Sequence, residues 1–158
     1  MPVPRVPAFL ALSVVLVGCK GTGCPDGARV EKEGGFCVVL PSGYKKASDN
    51  SKDGRAVYAY GQTGKMSMFV TSLSAEERGR TVKDIEARLA APSENPKVLD
   101  LGKTADAAFQ LFQWKGQTAV SLEYVTLGER PLRCTGTVAT EAEARALLSA
   151  CRTLRSTP

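Results

Sequence analysis

The residues of this chain whose types and spacing could do chemistry are its five cysteines, Cys19, Cys24, Cys37, Cys134 and Cys151. A cysteine can be acylated, can bind a metal or can form a disulfide, and each outcome depends on its neighbours and its compartment. The chain of 158 residues contains no His, which excludes a Ser-His-Asp triad, a His general base and a His-ligated metal. The cysteines are therefore the first candidates for function.

Residues 1–18 have the composition of a secretory signal peptide. Arg5 and the terminal amine form a positive start, and an apolar run from Ala8 to Val17 is interrupted only by Ser13. The run is about 10 residues long, whereas a membrane-spanning helix needs roughly 20. We therefore predict that the chain is exported and that residues 1–18 are removed.

The end of this run, Leu16-Val17-Gly18-Cys19, resembles the lipobox of bacterial lipoproteins. In that family the cysteine thiol receives a diacylglyceryl group, the chain is cut just before it, and the new amine is often acylated. The resemblance implies that Cys19 is the lipidation site and the first residue of the mature protein. Two or more acyl chains anchor a protein stably in a leaflet. Lys20 follows where an Asp would favour the inner membrane, so the outer membrane is favoured.

Four cysteines remain after Cys19, and an even number in an exported domain favours disulfides. Their spacings of 13, 97 and 17 residues contain no C-x-x-C pair, which argues against a zinc knuckle and a redox motif. Three pairings are open. We favour Cys24–Cys37, because a Gly/Pro-rich segment can fold back on the strand that holds Cys37. We favour Cys134–Cys151, because a late strand and the following helix should pack together.

Hydrophobic periodicity predicts two groups of four strands, each followed by a helix, over a single domain at 36–155. Residues 19–35 are rich in glycine and charge and are predicted to be a linker. The first helix is placed at Arg80–Ala91 with Thr81 as its cap, and the second follows the capping box Thr140–Glu143. This order indicates the α+β class, with mainly antiparallel sheet.

The stretch Phe36 to Tyr44, F-C-V-V-L-P-S-G-Y, resembles the opening of PsbP-like domains. The hairpin, the helix near T-V-K-D-I, the strand meander and the last helix near A-C-R-T-L follow the same layout, which bacterial lipoproteins of the DcrB kind share. The resemblance implies an α/β/α sandwich over about Phe36 to Leu154, a fold often used as a binding or assembly module without catalysis. Fold alone does not determine function.

Two further sets of side chains are candidates for a calcium or catalytic site and for a ligand groove. The carboxylates Asp100, Asp106 and Glu123 lack calcium-loop spacing and are expected to be solvated. Aromatic side chains of the late strands could line a ligand groove but are more often core; they are Phe109, Phe112, Trp114 and Tyr124.

The formal charge of the whole chain is +5, and loss of residues 1–18 removes one Arg and leaves +4. Many basic residues fall in the N-terminal half, where they could attract anionic lipid headgroups or could simply be solvated. No metal, cofactor or nucleic acid is predicted. We expect a non-enzymatic, lipid-anchored envelope protein that binds an unidentified protein partner. The alternative is an envelope module that binds a small ligand or lipid.

Overall fold

The computed structural model describes residues 23–51, 55, 57–62, 65–91 and 94–157. These residues form two helices and ten strands, with five strands before the first helix and four between the two helices. In chain order the elements are β1 (Arg29–Glu31), β2 (Phe36–Val38), β3 (Lys45–Asp49), β4 (Val57–Gln62), β5 (Lys65–Ser72), α1 (Ala75–Ala90), β6 (Lys97–Lys103), β7 (Ala107–Gln113), β8 (Val120–Thr126), β9 (Leu132–Val138), α2 (Glu141–Cys151) and β10 (Arg155–Ser156). The protein is therefore α+β, as predicted.

A seven-stranded antiparallel sheet in the order β3-β4-β5-β9-β8-β7-β6 forms the middle of the molecule. Side chains alternate between its two faces along each strand. Helix α2 packs on β8 and β9 from one side, whereas α1 packs on β6, β7 and β8. We call the α2 side the inner face and the α1 side the outer face.

The main core lies on the inner face. Met68 of β5, Leu122 of β8 and Leu111 of β7 are buried there in one cluster with Leu147 of α2. Gly136 of β9 leaves the space that Leu147 occupies, because a Cβ there would be 2.8 Å from Leu147 Cδ1. The sheet and α2 thus fit closely around one residue without a side chain.

A second sheet, β1-β2-β10, completes the inner layer over β3 and β4. Phe36 of β2 meets Tyr58 of β4 edge to face, with ring centroids 5.1 Å apart. Strand β1 lies within the segment 19–35 that the sequence predicts to be a linker, and the short β10 was not predicted. Both strands pair with β2: β1 forms a local hairpin with it, whereas β10 comes from the distant C-terminal end of the described chain.

The predicted start of the first helix, at Arg80 with Thr81 as the cap, is wrong. Helix α1 begins at Ala75, with Ser74 as its N-cap in a capping box with Glu77. For the second helix, the predicted capping box of Thr140 and Glu143 is present. No helix in the described ranges is long and apolar enough to cross a membrane.

Two disulfides are present, Cys24–Cys37 and Cys134–Cys151, and they are the pairs that the sequence favours. The first holds the N-terminal segment on the middle strand of the small sheet. The second joins β9 to the last turn of α2, and both of its cysteines are fully buried. Cys19 lies outside the described residues, so its lipidation stays a prediction.

Candidate functional site

Among the described residues, the outer face of the large sheet is covered on one half and open on the other. Helix α1 lies over β6, β7 and β8, where Ile85 is buried together with Ala108 and Val125. On the open half, Phe69 of β5 remains 36% exposed although it stands in the middle of a sheet. Aromatic residues are enriched at protein interfaces, so the exposed Phe69 makes the open half a candidate interaction surface.

A groove of about 410 Å³ runs across this open half. Its walls are Phe69 and Phe112, and hydroxyl side chains form its middle. We call it the outer-face patch and define it by Phe69, Phe112, Ser121, Thr135 and Thr137.

The alternation of β9 determines this composition. Cys134, Gly136 and Val138 point to the inner face, so Thr135 and Thr137 point to the outer face. Thr135 is paired with Phe69 across the β5–β9 ladder. Small hydroxyl residues leave room between the two aromatic side chains, and the groove is the result.

A network of polar side chains borders the patch where α1 begins to cover the sheet. Arg88 of α1 donates through Nη1 to Gln110 Oε1 at 2.5 Å, and Gln110 Nε2 donates to Glu123 Oε2 at 2.8 Å. Arg133 Nη1 lies 3.9 Å from Glu123 Oε1. Gln110 is almost fully buried, and hydrogen bonding on both of its ends satisfies it. This network links α1 to β7, β8 and β9 and holds the edge of the patch in place.

Several polar side chains that line the groove have partners within the fold. Ser121 Oγ and Thr137 Oγ1 are 3.3 Å apart, and Glu123, a carboxylate in the lining, accepts from Gln110. Within the described ranges, no cluster of three metal-binding side chains is present.

A cleft of about 670 Å³ lies between the β1–β2 turn, the start of α1 and the β8–β9 turn. Three of its charged residues have partners from the fold: Arg55 pairs with Glu77 at 2.5 Å, and Arg130 Nη1 donates to the Thr157 carbonyl. Glu77 also accepts from the Ser74 amide in the capping box. These groups stabilise the fold, and the cleft is charged rather than apolar.

Glu31 of β1 is the one strongly buried carboxylate among the described residues, and it is fully engaged. Its Oε1 accepts from Arg29 Nε at 2.5 Å and from the Tyr60 hydroxyl at 3.1 Å, and its Oε2 accepts from Lys46 Nζ at 3.0 Å. Lys46 also pairs with Asp49 at 2.8 Å. This network joins the small sheet to β3 and β4, so its role is structural.

The network lowers the pKa of Glu31 and raises the pKa of Tyr60. Burial alone would raise the pKa of Glu31, but hydrogen bonds from Arg29, Lys46 and Tyr60 outweigh it and hold that pKa below its ordinary value. Burial, together with the charge of Glu31, raises the pKa of Tyr60, so its hydroxyl stays protonated and donates.

We predict that Glu31→Gln flattens the acid dependence of stability. Because the folded-state pKa of Glu31 is lowered, its contribution is complete above the unfolded pKa and is lost as pH falls through the folded pKa. The wild-type free energy of unfolding should therefore decline below about pH 5 more steeply than that of the variant. Urea titrations at several acidic pH values measure this slope, and equal slopes would show that the network does not couple Glu31 to folding.

The structure separates the four aromatic residues for which the sequence favoured a core role over a shared ligand groove. Tyr124 is in the core and Phe109 packs against it on the inner face, where Arg152 stacks over the Phe109 ring at 4.9 Å. Phe112 and Trp114 lie on the outer side, edge to face at 5.8 Å, with Trp114 exposed. A shared groove of all four is therefore wrong, and only Phe112 contributes to the outer-face patch.

The three carboxylates weighed from the sequence do not converge. Asp100 pairs with Arg145 of α2 at 3.1 Å, Glu123 bonds to Gln110 on the outer face, and Asp106 lies in the β6–β7 turn.

Sequence reasoning missed Phe69, Thr135 and Thr137 as functional candidates. The alternation of β5 and β9 indicates which residues share a face, but the missing cover over that face depends on where α1 packs. Comparison with known proteins found no matching family and no matching curated protein. The function must therefore be inferred from the surface of the molecule.

Proposed function

We propose that this chain is an exported, lipid-anchored envelope protein without enzymatic activity, and that it binds a protein partner through the outer-face patch. The observation that carries the proposal is the open half of the outer face, with Phe69 exposed beside a groove of hydroxyl side chains. Aromatic residues in a shallow, weakly charged surface supply much of the binding energy at protein interfaces.

Export and anchoring are supported by the signal-like residues 1–18 and by the lipobox resemblance around Cys19. Two disulfides in a small domain suit an oxidising compartment outside the cytosol. The lipid would hold the domain at a leaflet while its body stays in water. Lys20 after Cys19 favours the outer membrane.

The PsbP-like part of the proposal is supported by the layering. A helix lies on each face of one antiparallel sheet, which is the helix, sheet and helix order that the resemblance implies. Domains of that kind serve as binding or assembly modules, so the resemblance and the open patch favour the same role.

The partner is tested by photocrosslinking in cells. A benzoylphenylalanine placed at Thr137, inside the patch, should give a discrete adduct with a protein partner. Phe69→Glu in the same chain should abolish that adduct, because a desolvated carboxylate opposes burial of the interface. Leu89→Glu is the matched control, since Leu89 is an apolar residue with 44% exposure on α1, outside the patch.

Loss of the adduct with Phe69→Glu but not with Leu89→Glu would support the proposal. Equal retention in both variants, or no adduct from Thr137 in the folded protein, would refute it.

Anchoring is tested by the intact mass of the membrane-extracted protein. Residues 19–158 plus acyl chains, with a gain of about four hydrogens on reduction, are expected from Cys19 lipidation and two disulfides. An unacylated mass would remove the membrane from the proposal.

The alternative is a small-ligand or lipid-binding module, and the 670 Å³ cleft favours it, since its volume suits a small molecule. A charged ligand there would contact Lys32 and Arg130. A thermal-shift screen of small anionic and zwitterionic compounds tests this alternative. Stabilisation that Arg130→Ala removes and Phe69→Glu does not would favour the cleft over the patch.

A further inference from the structure

The small sheet presents one face away from the rest of the molecule. Phe36 and Val38 of β2 point into the main core, so Cys37 between them points outward. Its cross-strand partners are Val30 on one side and Arg155 on the other, and residues that pair directly share a face. We call this the small-sheet face.

The polypeptide reaches the predicted anchor from this same face. Cys24 lies over it, because its sulfur is bonded to Cys37. Five peptide units separate Cys19 from Cys24, and at full extension they span at most about 18 Å. A lipid on Cys19 therefore keeps the small-sheet face within that distance of the acyl chains.

The exposed side chains at this end suit a negatively charged bilayer surface. Val30 is 44% exposed on the edge strand β1. Apart from the Arg29–Glu31 pair, this end of the molecule has three exposed cations and two exposed carboxylates; the cations are Lys32, Arg152 and Arg155, and the carboxylates are Asp26 and Glu33. The third local carboxylate, Glu31, is buried against Arg29 and Lys46 and adds little to the surface charge.

The outer-face patch lies on the opposite side of the molecule. The small sheet and α2 form the inner layer, the large sheet is next, and the patch and α1 face outward beyond it. Packed sheets are about 10 Å apart, so the patch is at least one further layer from the small-sheet face.

We propose that the small-sheet face rests on anionic lipid headgroups, and that the outer-face patch is consequently presented to the aqueous side. This orientation rests on the proposed anchoring of Cys19. Five residues of tether and an attractive surface hold the domain in one orientation, whereas a long linker would let it tumble. The patch is then accessible to a partner without competition from the bilayer.

Tryptophan quenching by brominated lipids tests the orientation in the full lipidated protein. Trp114 is the single Trp of the chain, so Trp114→Phe gives a silent background. Val30→Trp and Leu89→Trp in that background form a matched pair, since both residues are 44% exposed and only Val30 is on the small-sheet face. On vesicles of phosphatidylcholine and phosphatidylglycerol with bromines near the headgroup, Val30→Trp should be quenched severalfold more than Leu89→Trp.

Charge reversal at Lys32 and Arg155 should reduce the quenching of Val30→Trp on these vesicles towards its value on phosphatidylcholine alone. Equal quenching of the two reporters, or stronger quenching of Leu89→Trp, would overturn the orientation. If the quenching of Val30→Trp changes neither with the lipid charge nor with charge reversal at Lys32 and Arg155, the proposed headgroup contact is overturned. The intact mass of the same sample separates the anchoring proposal from the orientation proposal. If the protein is acylated but Leu89→Trp is quenched as much as or more than Val30→Trp, the orientation alone is refuted. If the protein is unacylated, both proposals are refuted.

Discussion

Replacing Cys134 and Cys151 together with alanine is expected to lower the free energy of unfolding by about 3–5 kcal/mol. The sequence separation of 17 residues closes a loop worth about 3 kcal/mol in the chain-entropy account. Both sulfurs are also buried between β9 and α2, so truncation leaves an unfilled space in the main core. The loss should appear in urea titrations of the double variant.

The matched control is the double alanine variant of Cys24 and Cys37. The loop of 13 residues that this disulfide closes has nearly the same loop-closure entropy, but Cys24 is only partly buried at the surface of the small sheet. We expect this variant to lose less free energy of unfolding than the variant of Cys134 and Cys151. It should release the N-terminal segment rather than loosen α2. Equal losses for the two double variants would mean that loop closure alone, and not burial, determines the effect.

Replacing Gly136 with valine is expected to destabilise the protein by about 3 kcal/mol, at the upper end of the usual cost of overpacking. A Cβ at this position would stand 2.5 Å from the Ser67 carbonyl oxygen and 2.8 Å from Leu147 Cδ1. Leu147 can change rotamer, but the Ser67 oxygen belongs to the backbone of the neighbouring strand and cannot move without disturbing the sheet. Urea or thermal unfolding with the disulfides intact gives the measurement.

Gly79→Ala provides a control of opposite sign. Gly79 lies inside α1, and a Cβ there would meet nothing within 4 Å. Because glycine is a poor helix former, alanine should raise stability by up to about 1 kcal/mol. Destabilisation by both substitutions, or by neither, would contradict the packing described here.

The patch and the groove edge depend on how α1 is held. The helix buries Ile85 as its single fully buried residue among those described, and polar contacts supply the rest. Arg78 donates to the carbonyls of Leu127 and Gly128, and Arg88 donates to Gln110. Because these contacts hold α1 over one half of the outer face, the half with the outer-face patch is left uncovered by the described residues.

Much of the domain follows from local sequence. The strand alternation of β9, the capping box of Thr140 and the favoured cysteine pairs each depend on residues close together in the chain. The start of α1 does not follow as easily, because its first turn contains no apolar side chain larger than Ala75 to extend the periodic pattern of Val82 and Ile85. Ser74 caps the helix, and contacts from distant residues such as Arg55 hold its first turn.

The sequence by itself determined the α+β class and the alternating strands, because these depend on composition and on short-range periodicity; the export signal stays a prediction from the same kind of pattern. Only the tertiary structure decided which surfaces stay open. Phe69 is exposed because α1 packs two strands away, and Glu31 is buried because a three-residue strand pairs with β2 and faces Lys46 and Tyr60. Such placements result from contacts between distant segments, and residue type and periodicity do not encode them individually.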